Sequence, residues 1–131
     1  MKYVIIAVTI VVMLGFYIRR APVQPFLVVP LVEADAVTAA GFTAVRAYSG
    51  DADALRARVS EIALATPRTQ KLADDPLQFV TRSRVMGFPD ITAIDIQNGL
   101  LTVHAHSVYG QSDLRVNKAR VLDWLNRLGP L

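Results

Sequence analysis

Residues 88–128 read FPDITAIDIQNGLLTVHAHSVYGQSDLRVNKARVLDWLNRL, and this stretch decides the fold. Asn98-Gly99 lies between two apolar runs. Both positions of a two-residue hairpin turn need φ > 0, which Asn and Gly accept most readily. Such a turn sets the register. Gln97 faces Leu100, and outward from it Ile96 meets Leu101, Ile94 meets Val103 and Thr92 meets Ala105 on a core face. The opposite face pairs Asp95 with Thr102, Ala93 with His104 and Ile91 with His106, a mixed surface. After the hairpin, Leu114, Val121, Trp124, Leu125 and Leu128 fall on one side of a helix. Asp113 is placed to cap it, Gly129 to take the left-handed position after it and Pro130 to stop it, while Asp123 and Arg127 make an i,i+4 pair. Asn117 breaks the apolar side. A buried amide there must find partners or cost about 1–3 kcal/mol.

Working back from the hairpin, Leu77 to Val85 reads as a strand, with Leu77, Phe79 and Thr81 on one face and Val80, Arg82 and Arg84 on the other. Arg68 to Pro76 is polar and contains the turn Asp74-Asp75-Pro76. A helix starts at Gly50-Asp51-Ala52-Asp53, with its acidic residues at the positive end of the dipole, places Leu55, Val59 and Ile62 on one face, and ends at Pro67. Phe42 to Tyr48 alternates as a strand. Glu33 to Ala40 suits a helical turn, and Phe26 to Val32 suits a short strand interrupted by Pro30. The order is an α+β domain: a small antiparallel β-sheet with helices packed on one face, preceded by an N-terminal transmembrane helix.

That anchor is expected over residues 1–20, with a stiff APVQP linker at 21–25 and the domain at 26–131. Tyr3 to Ile18 carries no charge and only Thr9 as a polar interruption, between Lys2 and Arg19-Arg20. Sixteen helical residues rise about 24 Å, and snorkelling of the flanking cations makes up the difference to a hydrocarbon core of about 30 Å. Arg19-Arg20-Ala21-Pro22 is a poor cleavage site, which favours an uncleaved anchor over a removed signal peptide. The positive flanks nearly balance. A short anchor on so small a protein suits export, so the expected place is a bacterial inner membrane with the soluble domain periplasmic.

The net charge of +3 belongs to the anchor: removing Lys2, Arg19 and Arg20 from 14 basic residues leaves 11, against 11 acidic ones. A neutral domain lacks the electrostatic footprint of nucleic-acid binding. With no cysteine, disulfides and thiolate metal sites are excluded.

Over Phe88-Pro89-Asp90, Ser107, Gly110, Ser112-Asp113, Val116-Asn117 and Arg120 the chain resembles the bacterial and plastid family called domain of unknown function 1499. The pattern S-x-x-G-x-S-D-x-x-V-N-x-x-R from Ser107 to Arg120 carries the resemblance, which covers roughly residues 51 to 128 and is clearest from 88 to 121. Two positions depart from it: His106, where members usually have arginine, and Arg115, where they usually have glycine. The resemblance implies the fold and a membrane-anchored or exported location. It implies no activity or cofactor.

Three kinds of chemistry compete for the polar residues. His104 and His106 project from one strand face at a spacing zinc sites use, and Asp95 or Asp113 would be the third ligand, yet two histidines on a mixed face are usually packed or solvated. Ser107 or Ser112 with a histidine and Asp113 has the residue types of a hydrolase, without a nucleophile elbow. The remaining cluster is Arg82, Arg84, Asp90, Ser107, Asp113, Asn117 and Arg120. It reads either as a polar pocket for an anionic head group or carboxylate, or as a latch in which Asn117 is satisfied internally and Arg120 pairs with Asp90 or Asp113. The latch is the favoured reading. It leaves a non-enzymatic envelope protein with a structural or ligand-binding role, no cofactor and no metal, the membrane as its partner, and a lipid, small anion or protein as further candidates. An apolar groove lined by Phe79, Ile94, Val103 and Trp124 would instead mark a lipid- or partner-binding module.

Overall fold

The Asn98-Gly99 turn has φ values of 53° and 75°, as its chemistry requires. A computed structural model describes residues 1–25, 29–110 and 115–131. In it the hairpin consists of β5 (Pro89–Gln97) and β6 (Leu100–Ser107), in the register set by the turn, from Gln97 opposite Leu100 to Ile91 opposite His106. Before them come α1 (Lys2–Arg20), β1 (Ala36–Val37), β2 (Gly41–Ala47), α2 (Ala52–Ala65), β3 (Thr69–Asp74) and β4 (Leu77–Arg82), and α3 (Val116–Leu128) closes the chain. The strands form one antiparallel six-stranded sheet in the order β1-β2-β6-β5-β4-β3, with the hairpin at its centre. This is an α+β fold.

Alternation then decides what each strand contributes. Phe42 and Ala44, Val103 and Ala105, Ile94, and Leu77 and Phe79 share the face covered by α2 and α3 and form one core with Leu55, Val59, Ala63, Val121, Trp124 and Leu128. Trp124 meets Phe79 edge to face, with ring centroids 6.1 Å apart. Its indole N–H donates to Thr66 Oγ1 at 2.9 Å, so the polar tip of the largest core side chain is satisfied. The four residues considered as a groove lining, Phe79, Ile94, Val103 and Trp124, all lie inside this core. They are interior side chains of one cluster.

The helix ends follow their local chemistry. Asp51 caps α2 by accepting from the amides of Asp53 at 3.1 Å and Ala54 at 3.3 Å. Gly129 stands at φ 71° after α3, and Asp123 and Arg127 pair at 3.0 Å. α1 is long and apolar enough to cross a membrane, and its side chains are exposed apart from Ile18.

Several local expectations are corrected. Residues 33–40 hold no helical turn: Ala36 and Val37 pair with Thr43 and Phe42 as an edge strand, and Thr38 N–H donates to Gly41 O at 3.0 Å. An unpaired edge of β2 outweighed the weak helical preference of an alanine-rich segment. Residues 29–32 form no strand, consistent with Pro30, and residues 26–28 of that expected strand lie outside the described residues. The polar stretch 68–76 is not only a turn. It contains β3, an edge strand whose Gln70 and Lys71 are exposed and which carries a bulge between Lys71 and Ala73. Polar residues and a bulge are what protect a sheet edge, and they hid the strand in the sequence. β4 ends at Arg82, not at Val85, and Ser83 to Gly87 forms a loop. α3 begins at Val116 with Arg115 in the cap position, whereas the expected cap, Asp113, and the expected core residue Leu114 lie outside the described residues.

Candidate functional site

The register of the hairpin, carried outward past Thr92 and Ala105, sets Asp90 directly opposite Ser107 on the helix-covered face. On α3, Asn117 and Arg120 are one turn apart and point at the same spot. The four side chains close a ring. Ser107 Oγ donates to Asp90 Oδ1 at 2.7 Å, and Arg120 Nη2 donates to Asp90 Oδ2 at 2.9 Å. Arg120 Nη1 donates to Asn117 Oδ1 at 2.8 Å, and Asn117 Nδ2 reaches Ser107 Oγ at 3.3 Å. Asn117 Nδ2 also donates to Ala40 O at 3.4 Å, and the same carbonyl accepts from Ser107 N–H at 2.9 Å. The ring therefore ties α3 to both central strands and to the β1–β2 connection. Asn117 is fully buried, and the side chains of Arg120 and Asp90 are 10% and 13% exposed.

Of the sequence-derived cluster, Asp90, Ser107, Asn117 and Arg120 come together, and Arg82 and Arg84 do not join them. Thr81 is the residue of β4 that faces Asp90, so the alternation turns Arg82 to the opposite side of the sheet. There its guanidinium donates from Nη1 to Ile18 O at 2.9 Å and Gly87 O at 3.1 Å, and from Nη2 to Ala21 O at 2.9 Å. Arg84 sits exposed in the β4–β5 loop. Asp113 lies outside the described residues.

Ser107 Oγ is fixed within the ring: it donates to Asp90, which is itself paired with Arg120, and it accepts from Asn117. The histidines lie on the face away from α2 and α3. Thr43 Oγ1 is 2.7 Å from His104 Nδ1, and the two rings stand 5.7 Å apart. Burial, reinforced by neighbouring His106, lowers the pKa of His104 from 6.5 to about 4, and burial lowers that of His106 against the pull of Asp90. Among the described residues, no group of three His, Cys, Asp or Glu side chains is placed to hold a metal ion.

The sequence reading missed Arg19, Arg68 and the Ala40 carbonyl. Arg19 flanks the apolar run in sequence, yet its Nη2 donates to Arg84 O at 3.3 Å and to Val85 O. Arg68 has φ 57° and donates from Nε to Arg82 O at 3.0 Å. No spacing rule links positions 19, 68 and 82; only the folded chain does. One departure from the family pattern has a structural counterpart: Arg115, where glycine is usual, holds φ 64°.

Fold and site together define a class: an apolar N-terminal helix followed by an α+β domain whose open antiparallel sheet is locked to its last helix by a closed polar ring. The chain belongs to the family described as Protein of unknown function (DUF1499), whose model matches residues 29–128. The match extends the resemblance toward the N-terminus, from about residue 51 to residue 29. No curated protein matches the chain.

Proposed function

We propose that this is a single-pass membrane protein of the bacterial envelope, with residues 1–20 as a retained anchor, 21–25 as linker and 26–131 as a periplasmic domain whose role is structural or ligand-binding rather than catalytic. The observation that carries this reading is the clamp at the end of α1. Arg82, on the sheet, donates to the carbonyls of Ile18 and Ala21, and Arg19, on the helix, donates to the loop after β4. A helix destined for removal would leave the donors of Arg82 without these acceptors, whereas a retained one holds the domain in a set orientation at the bilayer surface. Arg82 and Arg19 also suit the negative end of the α1 dipole. The ring of Asp90, Ser107, Asn117 and Arg120 acts in this reading as the latch that keeps α3 on the sheet. Each of its groups already has a structural partner, which supports a non-enzymatic role.

The test is fractionation of cells expressing the full chain. The expected protein stays in the membrane after alkaline carbonate extraction, has the intact mass including residues 1–20, and activates a C-terminal alkaline phosphatase fusion. Release by carbonate or a mass lacking the helix would refute the anchor. Fluorescence of a C-terminal green fluorescent protein without phosphatase activity would refute the periplasmic placement.

A further inference from the structure

A cleft of about 570 Å³ opens where the end of α1 meets β3, β4 and the loop after α2. Four of its lining residues are arginines, Arg19, Arg68, Arg82 and Arg84, and none is acidic. Elsewhere in the domain Arg46 pairs with Asp35, Arg120 with Asp90 and Arg127 with Asp123, while Arg56 and Arg58 donate singly to the carbonyls of Asp74 and Leu128. In the cleft three guanidiniums are gathered on main-chain carbonyls, with no carboxylate among the lining residues. Arg82 is fixed by Ile18, Gly87 and Ala21, Arg19 by Arg84 and Val85, and Arg68 by Arg82. A carbonyl orients a guanidinium without neutralising it, so the cleft concentrates positive charge in a domain whose basic and acidic residues balance overall. Capping of α1 accounts for Arg19 and Arg82. It does not account for Arg68 and Arg84, which are exposed and line the same cleft.

The position of the cleft along α1 identifies its ligand. Met86 approaches the helix at Gly15, its methyl 3.9 Å from where a Cβ would stand, and Val85 beside it is 74% exposed. Gly15 lies one turn, about 6 Å, further into the helix than Arg19. Gly87, at φ 72°, makes this approach possible, because a Cβ there would overlap Arg19 Cγ. The loop from Ser83 to Gly87 therefore presents Met86 at the depth of Gly15, with exposed Val85 beside it in the loop, and meets Arg19 one turn above. That is the layering of acyl chain and phosphate at a membrane surface.

We infer that the cleft binds the phosphodiester headgroup of an anionic phospholipid, with Arg68 and Arg84 on the phosphate and Val85 and Met86 against the acyl chains. The inference rests on the reading of α1 as a membrane anchor, and its test is separable from that reading because it is done in detergent. Delipidated full-length protein would be titrated with phosphatidylglycerol, phosphatidylcholine and inorganic phosphate and observed by native mass spectrometry, beside Arg68→Gln/Arg84→Gln, which leaves the Arg82 clamp intact. The expected result is a preference for phosphatidylglycerol over phosphatidylcholine that falls about tenfold in the double variant. Equal binding of the two lipids, or an unchanged preference in the variant, would overturn the assignment. So would phosphate adducts at submillimolar concentration without lipid preference, which would make the ligand a free anion. A chain released by carbonate yet still preferring phosphatidylglycerol would refute the anchor and keep the site.

Discussion

Arg120→Met is the most informative perturbation of the polar ring. The substitution keeps much of the stem of the side chain and removes both nitrogens that donate into the ring. Asp90 then holds a carboxylate only 13% exposed with Ser107 as its remaining donor in the ring, and Asn117 Oδ1 loses a bond of 2.8 Å. Breaking a buried pair from one side costs about 3–5 kcal/mol. The residual exposure puts this case near the lower bound, at about 3 kcal/mol, or a fall in Tm of about 12 °C for a domain of this size. Asp90→Asn in the same background removes the stranded charge, so the double variant is expected to recover to a cost of about 1–2 kcal/mol. Trp124, the single tryptophan and 2% exposed, reports the core directly. Urea titrations of the four full-length proteins in detergent, followed by its fluorescence, complete the double-mutant cycle. A loss below 1 kcal/mol for Arg120→Met, or a double variant at the sum of the two single losses, would falsify the latch.

Three further outcomes are expected. His104 has its pKa lowered from 6.5 to about 4 by burial and by His106, so the unfolded chain takes up a proton that the folded chain refuses, and stability falls as pH drops from about 6.5 to about 4. Discounted for its partial exposure, the contribution is about 1–2 kcal/mol, and a melting series of His104→Gln should have a flatter slope in that window; an equal slope would assign the effect elsewhere. Thr92 is fully buried and its hydroxyl has no hydrogen-bond partner among the described residues, so Thr92→Val should be neutral or stabilising by up to about 1 kcal/mol, and a clear loss in urea titration would reveal a bond to that hydroxyl. Arg115→Gly relieves a φ of 64° at the start of α3 and should raise the unfolding free energy by about 0.5–1 kcal/mol, unless the measured change is a loss, which would show that the arginine side chain contributes more than its backbone costs.

The candidate site was legible in proportion to how local its logic was. The pair of Asp90 with Ser107 follows from the turn by counting, and the proximity of Asn117 to Arg120 follows from one helical turn. Their union needed only the docking of the closing helix on the hairpin, and the ion pair of Arg120 with Asp90 was among the alternatives the residues allowed. Arg82 and Arg84 were grouped with that ring on charge alone. The alternation of β4 already separates Arg82 from Phe79 and Thr81, and the pairing of Thr81 with Asp90 shows that Arg82 lies on the side of the sheet away from the ring. Edge strand β3 escaped notice for the opposite reason: its residues are chosen to discourage pairing, so they carry little strand signal.

What the amino-acid sequence determined by itself is therefore the set of short-range geometries: the Asn98-Gly99 hairpin and its register, the Asp51 cap of α2, the Gly129 stop of α3 and the uncharged run of α1. Each depends on dihedral preference or periodicity within a few residues. The tertiary structure decided the rest. It set β1 and β3 on the sheet edges, closed the ring of Asp90, Ser107, Asn117 and Arg120, and gathered Arg19, Arg68, Arg82 and Arg84 from distant parts of the chain into one uncompensated cleft. The physical reason is that edge pairing and charge clustering are settled by long-range packing against neighbours, and no periodicity in a linear sequence encodes which neighbours those will be.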